Sequence, residues 1–304
     1  MQRSHPIAPH RPVTTAAPGR RRAFTLIEVL VVILVVFVLI GLLIVGLRVA
    51  SRSARGSLDR ASLTALKNAT TQFKQTVGFA PPLADDAIGP IVAPSTVVKV
   101  FRLSDFSVGG DVEKLRAVPA DPNLAPADLR FSIYSIPIYL IGALDAPIDG
   151  KSGPGLRVPK KEGSFEKAGK IIDPFFDVSR NAKALFAVDA AKGRYVLRDG
   201  KGVAFRYYFW LHDQGDPPLN TALKDYLNIP WIIGDESNPD FRDAQWAIVS
   251  AGPNGVFGDE DLLPVTHPQH LTLAEMQAKM GAGTLSGPAL RAQAREDNSV
   301  EVGR

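Results

Sequence analysis

The chain has 304 residues, of which 45% are hydrophobic and 22% charged, and its formal net charge is only +4. This composition is ordinary for a folded protein with one sizeable domain or two small ones, and the low charge predicts no nucleic-acid partner. The chain contains no cysteine, which excludes disulfides, thiolate metal sites and cysteine nucleophiles.

The N-terminal region changes abruptly from basic to apolar. Residues 1–22 contain five arginines, four prolines and no acidic residue, so we interpret them as a disordered basic leader. After Ala23, the 24 residues Phe24–Leu47 are almost wholly apolar. As a helix they would measure about 36 Å, which exceeds the roughly 30 Å hydrocarbon core of a bilayer. They are also too many for the apolar part of a secretory signal peptide, so we predict a transmembrane helix.

Glu28 is the one ionisable residue in this apolar span. A charged group in lipid is costly and is therefore a candidate for function by default. Its place near the start of the span equally fits a hydrated carboxylate at the level of the headgroups. Position alone leaves both interpretations open.

The residues around Glu28 resemble a known signal. Residues 20–30, RRRAFTLIEVL, are similar to the cleavage and methylation signal of type IV prepilins and type II secretion pseudopilins. The resemblance implies that a prepilin peptidase cuts between Ala23 and Phe24 and methylates the new amino group. Ala23 stands where the family usually has glycine. The resemblance also assigns Glu28 and Thr25 to assembly with other pilin or pseudopilin subunits.

The same resemblance implies a location and further partners. It predicts a single-pass protein of the inner membrane, in contact with lipid, that an inner-membrane assembly platform moves into a filament. Arginines flank both ends of the apolar span, so charge counting does not give the orientation. The resemblance to the leader predicts a cytoplasmic N-terminus and a C-terminal domain outside the cytoplasm.

The helix is predicted to continue beyond the membrane, from Ser51 to about Val77. Gly78 and Pro81 end it, and the turn they form resembles the Gly-aromatic-x-Pro turn of pilins. Small or apolar residues recur at steps of three and four, which predicts one buried helical face. The predicted stripe comprises Ala54, Leu58, Ala61, Ala65, Ala69, Phe73 and Val77, widened by Leu63 and Leu66.

The rest of the chain is predicted to be a small antiparallel sheet, which gives an α+β, pilin-like fold class. The predicted strands are Phe131–Ile141, Tyr195–Arg198, Val203–Leu211 and Trp246–Ser250. The predicted organisation is a removed leader at 1–23, a transmembrane helix at 24–47, its amphipathic continuation at 48–79, an extracytoplasmic domain at 80–270 with an insertion near 143–170, and a C-terminal helix with a flexible tail at 271–304.

A turn signal lies between two of these strands. Residues 199–202, Asp-Gly-Lys-Gly, predict a tight hairpin turn. Asp199, Gly202 and the strand residue Tyr207 resemble a pseudopilin motif, although the Pro-Trp pair expected between them is missing.

Enzymatic motifs are sparse. The sequence has no GxSxG, HExxH or phosphate-binding P-loop pattern. His212 could belong to a hydrolase site with Asp213, and His267 and His270 could meet a metal, but plain loops account for these residues more simply. We therefore do not predict an enzyme.

The segment Ser250–Leu262 combines glycines with oxygen-bearing side chains. Hard cations such as calcium require about six to eight oxygen ligands, and the glycines allow the backbone to curl around an ion. A solvated acidic turn fits the composition equally well. The segment also resembles the calcium loop of major pseudopilins, which implies one calcium ion held by side chains among Asn254, Asp259, Glu260 and Asp261.

These observations predict a structural subunit of a type II secretion pseudopilus or a type IV pilus-like filament. The alternative is an extracytoplasmic binding protein or hydrolase that uses a prepilin-type anchor only for export. A sheet packed on the helix would favour the filament subunit, and a buried polar pocket within residues 83–194 would favour the alternative.

Overall fold

The structure is a computed structural model that describes residues 25–86, 116–117, 127–142, 149–177, 186–189, 194–210, 229–234 and 237–304. The chain divides into two compact units, residues 1–51 and 52–304. The elements combine an apolar N-terminal helix with antiparallel sheets, so the predicted α+β class is confirmed and is consistent with a pilin-like fold.

The first helix, α1, runs from Leu26 to Val77. Its residues 52–77 belong to the second unit, where Leu63, Leu66 and Phe73 are buried in the core. Leu58, which the periodicity placed on the buried face, is instead 66% exposed, because the stripe that packs is centred on Leu63 and Leu66. The helix ends where Gly78 adopts a positive φ of 91°, a conformation that favours glycine.

The main sheet has four antiparallel strands: β3 (Phe131–Ser132), β8 (Arg206–Phe209), β9 (Trp246–Ser250) and β10 (Ser299–Gly303). Their order across the sheet is β10-β9-β8-β3. Every residue of β9 is buried, as expected for a central strand. The helix α1 is tied to the edge strand β10 by an ion pair between Lys67 and Glu301, with Nζ and Oε2 2.8 Å apart.

Three two-stranded ribbons complete the described strands. They pair β1 (Arg116–Ala117) with β2 (Ala127–Asp128), β4 (Leu156–Arg157) with β5 (Ile171–Ile172), and β6 (Phe186–Asp189) with β7 (Arg194–Leu197). Leu156 and Phe165 are buried in the main core. The described part of the predicted insertion near 143–170 is therefore partly core and not only a surface loop.

The prediction of one strand over Phe131–Ile141 is wrong beyond its first two residues. The hydroxyl of Ser132 accepts hydrogen bonds from the backbone N–H groups of Tyr134 and Ser135, at 3.0 and 3.1 Å, which turns the chain out of the sheet. A short π-helical segment, Pro137–Ile141, follows. Proline lacks an N–H group for a sheet ladder, so a buried apolar run containing Pro137 packs better as a helical turn.

The C-terminal residues are also ordered, which corrects the predicted flexible tail. After a short helix α2 (Pro239–Arg242), the chain forms α3 (Leu273–Met280), α4 (Gly287–Glu296) and β10. The small and polar composition of this region does not indicate its partners, which are distant in sequence. Leu290 and Ala294 of α4 pack against Val256 and Met276 in a second, smaller core cluster.

Candidate functional site

The start of α1 is closed by a reciprocal pair of side chains. The Glu28 carboxylate accepts hydrogen bonds from the backbone N–H and the hydroxyl of Thr25, at 2.9 and 3.1 Å. In return, the Thr25 hydroxyl accepts the backbone N–H of Glu28, at 3.3 Å. This is a capping box, which satisfies N–H groups that a helix start otherwise leaves unpaired. The structure therefore brings the two predicted assembly residues together, whereas the predicted processing residues, Ala23 and Phe24, lie outside the described residues.

The segment that follows the capping box is suited to a lipid environment. Of the described helices, one contains a stretch long and apolar enough to cross a membrane, Leu26–Ile44, and its side chains are exposed. Exposed surface this apolar is unfavourable in water and favourable in a bilayer or against other apolar helices.

The predicted turn at residues 199–202 is present and is fastened to α1. The Asp199 carboxylate accepts the backbone N–H groups of Lys201 and Val203 and the hydroxyl of Ser250, at 2.9, 3.0 and 3.0 Å. Asp59 of α1 accepts the N–H of Gly200 at 2.6 Å. Burial raises the pKa of the Asp199 carboxyl above its ordinary value, although these hydrogen bonds oppose the shift.

The strands on either side of this turn enter different sheets. The bridge between Arg198 and Ala204 closes the turn, after which β7 pairs with β6 and β8 pairs with β3 and β9. The third residue of the motif, Tyr207, is fully buried and donates its hydroxyl to the carbonyl of Pro81, at 3.0 Å. The turn is therefore held to α1 at Asp59, and β8 is held to Pro81, four residues beyond the end of α1.

The loop predicted to bind calcium lies between β9 and α3, and its side chains are bound to protein groups. Asn254 accepts the backbone N–H of Val256 at 2.8 Å and donates to the carbonyl of Ala294 at 3.1 Å. The Glu260 carboxylate accepts the backbone N–H groups of Phe257, Gly258 and Asp259, at 2.5, 2.8 and 3.1 Å.

The other two carboxylates of the loop face arginines. Asp259 accepts a hydrogen bond from Arg206 at 2.6 Å, and both side chains are fully buried. Asp261 accepts two from Arg291, at 3.0 and 2.5 Å. The structure does not gather the predicted ligands on one point: among the described residues no group of three or more acidic, histidine or cysteine side chains is placed to hold a metal.

The guanidinium of Arg206 is enclosed by aromatic rings. It lies 4.2 Å from the ring centroid of Phe131 and 4.0 Å from that of Phe257, and its Nε donates to Gln269 at 2.7 Å. Burial alone would lower the pKa of Arg206, but Asp259, Tyr208 and Glu260 together more than offset this, so the net shift is upward. Burial raises the pKa of Glu260, although Arg206 opposes the shift.

Sequence reasoning missed Arg206 and Arg291. The signal for Arg206 was available, because it alternates with Tyr208 on one face of an aromatic strand, where a charge needs a buried partner. Arg291 gave no comparable signal, since α4 itself was not predicted.

The two described candidate histidines, His267 and His270, contact different protein groups. His267 lies 3.6 Å from the Asp86 carboxylate, measured from Nε2 to Oδ2, and His270 faces the carbonyl of Leu263 through Nδ1 at 2.9 Å. His212 lies outside the described residues.

A comparison with protein families supports the interpretation of the N-terminus. Residues 18–46 match the model of the prokaryotic N-terminal methylation motif. The chain therefore carries the prepilin-type cleavage and methylation signal of type IV pilins and pseudopilins. Comparisons with curated proteins and with solved structures give no significant match.

The motif has direct consequences for the chain. It implies processing by a prepilin peptidase and assembly with other pilin subunits. In this context the apolar stretch Leu26–Ile44 fits the membrane anchor of a prepilin-like protein.

Proposed function

We propose that the chain is a structural subunit of a pilus-like filament, either a type II secretion pseudopilus or a type IV pilus. The observation that carries the proposal is the methylation motif at residues 18–46, which includes the capped start of α1. Leu63, Leu66 and Phe73 of that helix are buried in the core of the second unit, so one element continues from the anchor sequence into a folded domain.

Before assembly, the protein lies in the inner membrane, with its C-terminal domain outside the cytoplasm. A prepilin peptidase removes residues 1–23 and leaves Phe24 as the methylated N-terminus. An assembly platform then moves the subunit from the bilayer into the filament, where the exposed apolar surface of Leu26–Ile44 exchanges lipid for neighbouring helices.

Glu28 supplies the charge that assembly requires. We propose that its carboxylate neutralises the amino group of Phe24 on a neighbouring subunit, since two opposite charges in an apolar bundle offset much of their desolvation cost. The capping box supports this role, because it holds the carboxylate at the start of the helix, beside Thr25.

Two substitutions separate the charge of Glu28 from its capping function. Glu28→Gln keeps an oxygen that can accept from the Thr25 N–H but removes the charge, and Glu28→Ala removes both. We expect both variants to insert in the membrane and be processed, and both to lose filament assembly, measured by shearing and electron microscopy in a host with the assembly machinery. Normal filaments from Glu28→Gln would show that the charge is not needed.

The alternative, an anchored binding protein or hydrolase, makes a different prediction for the same experiment. Neutralising Glu28 would leave the activity and the membrane location of such a protein unchanged. Even the wild-type protein would then be absent from the sheared filament fraction.

A further inference from the structure

The loop between β9 and α3 is covered by the C-terminal helix α4. The approach is close at Gly258, where an added Cβ would lie 2.6 Å from the carbonyl oxygen of Arg291. Asn254 donates to the carbonyl of Ala294 near the end of α4, and Asn298 donates to the carbonyl of Phe257 at 2.9 Å. Loop and helix therefore form one hydrogen-bonded layer.

Most of the carboxylate oxygens that a cation would need in this layer already accept hydrogen bonds from protein groups. Asp259 Oδ2 is the exception, because it is buried without a hydrogen-bond partner among the described residues. The Glu260 carboxylate is surrounded by three backbone N–H groups, which are donors and would not point at an ion. The Asp261 and Arg291 side chains, 7% and 11% exposed, form a two-bonded pair. Asp259 is paired with Arg206 in the interior.

The charges decide between an ion and the arginines. Calcium binding requires about six to eight oxygens directed at one point, and a divalent ion at Asp259 or Asp261 would lie beside a fixed guanidinium and be repelled by it. The donor set implied by the resemblance to major pseudopilins therefore does not fit calcium in this chain.

We propose that Arg206 and Arg291 take the place of a bound cation and hold the loop Asn254–Leu262 closed without metal. Arg206 fixes the loop to β8 from within, and Arg291 fixes it to α4 from outside. The apolar contacts of Leu290 and Ala294 with Val256 then seal the layer. The folding of the C-terminal region is thus independent of calcium.

The first test is thermal unfolding of the full chain in mild detergent, followed by tryptophan fluorescence, since Trp210 and Trp246 are fully buried. We expect the same melting temperature in excess calcium and in excess EGTA, and no calcium binding by isothermal calorimetry. A calcium-dependent rise in the melting temperature that Asp261→Asn removes would overturn the proposal.

The second test is a double-mutant cycle on the outer pair. We expect Asp261→Asn and Arg291→Met each to lower the melting temperature by about 5 °C or more. The double variant should melt no lower than the less stable of the two single variants. The matched control is the ion pair of Asp243 and Arg304, whose side chains are 56% and 75% exposed. Asp243→Asn and Arg304→Met should each shift the melting temperature by less than about 2 °C. If the decreases in melting temperature caused by Asp261→Asn and Arg291→Met were additive, the proposal that this ion pair holds the loop would be contradicted.

Discussion

Several charged side chains of this protein are buried, and each has a specific partner. Asp199 organises the turn before β8, Arg206 holds Asp259 between two aromatic rings, and Glu260 binds the backbone of its own loop. A buried charge without such partners would cost several kcal/mol, so each of these contacts specifies one arrangement of the chain.

Asp199 gives a pH dependence whose sign follows from its raised pKa. The folded state binds this proton more tightly than the unfolded state, so its contribution to stability is greatest at low pH. That contribution falls as pH rises from the unfolded carboxyl pKa, near 4, through the higher folded value. Asp199→Asn keeps an oxygen acceptor for Lys201 and Val203 but cannot titrate.

The measurement is urea unfolding of both proteins across this pH range. We expect the free energy of unfolding of the wild type, relative to Asp199→Asn, to decrease with rising pH and then level off. The pKa of Glu260 is also raised and that of Glu275 is lowered, but both residues are present in both proteins, so their contributions cancel in the difference. A difference that increases with pH would contradict the sign.

At the scale of elements, the C-terminal strand is a structural part of the main sheet. All five residues of β10 pair with β9, from Ser299 opposite Ser250 to Gly303 opposite Trp246. Gly303 lies directly against the indole of Trp246, and an added Cβ would clash with its Cζ2 atom. The last strand therefore needs glycine at this position because of the tryptophan beside it.

Gly303→Ala tests this contact. We expect it to displace the end of β10, to destabilise the fold by about 1–3 kcal/mol, as overpacking does, and to alter the fluorescence of Trp246. Gly283→Ala is the control, because a Cβ there meets nothing within 4 Å. Equal stability of the two variants, measured by urea unfolding, would mean that β10 does not pack on Trp246 as described.

Much of this architecture could be predicted where the signal is local. The cleavage signal, α1 and the Asp199–Gly202 turn each rest on a few neighbouring residues. Calcium binding by the loop stays a prediction from resemblance. In the structure, two of its candidate ligands pair with groups far away in sequence: Asp259 with Arg206, 53 residues earlier, and Asp261 with Arg291, 30 residues later. Such pairings, like that of β10 with β9, depend on tertiary contacts that no local pattern encodes.

At the scale of the whole molecule, the helix α1 begins within the N-terminal signal and continues into the folded α+β unit. Residues 26–77 are a single helix, and its two parts meet different surroundings: the first exposes an apolar surface, and the second packs in a core. This division of one helix is what a subunit needs if it is stored in a bilayer and later assembled through the same apolar surface.

The most direct test of this account is the mass of the mature N-terminus. The full chain is expressed with a prepilin peptidase, extracted from the membrane and analysed by intact and peptide mass spectrometry. The account predicts a protein that lacks residues 1–23 and begins with N-methylated Phe24, and a chain that stays uncut when the peptidase is inactive. A mature protein beginning at any other residue, or an intact leader beside an active peptidase, would contradict it.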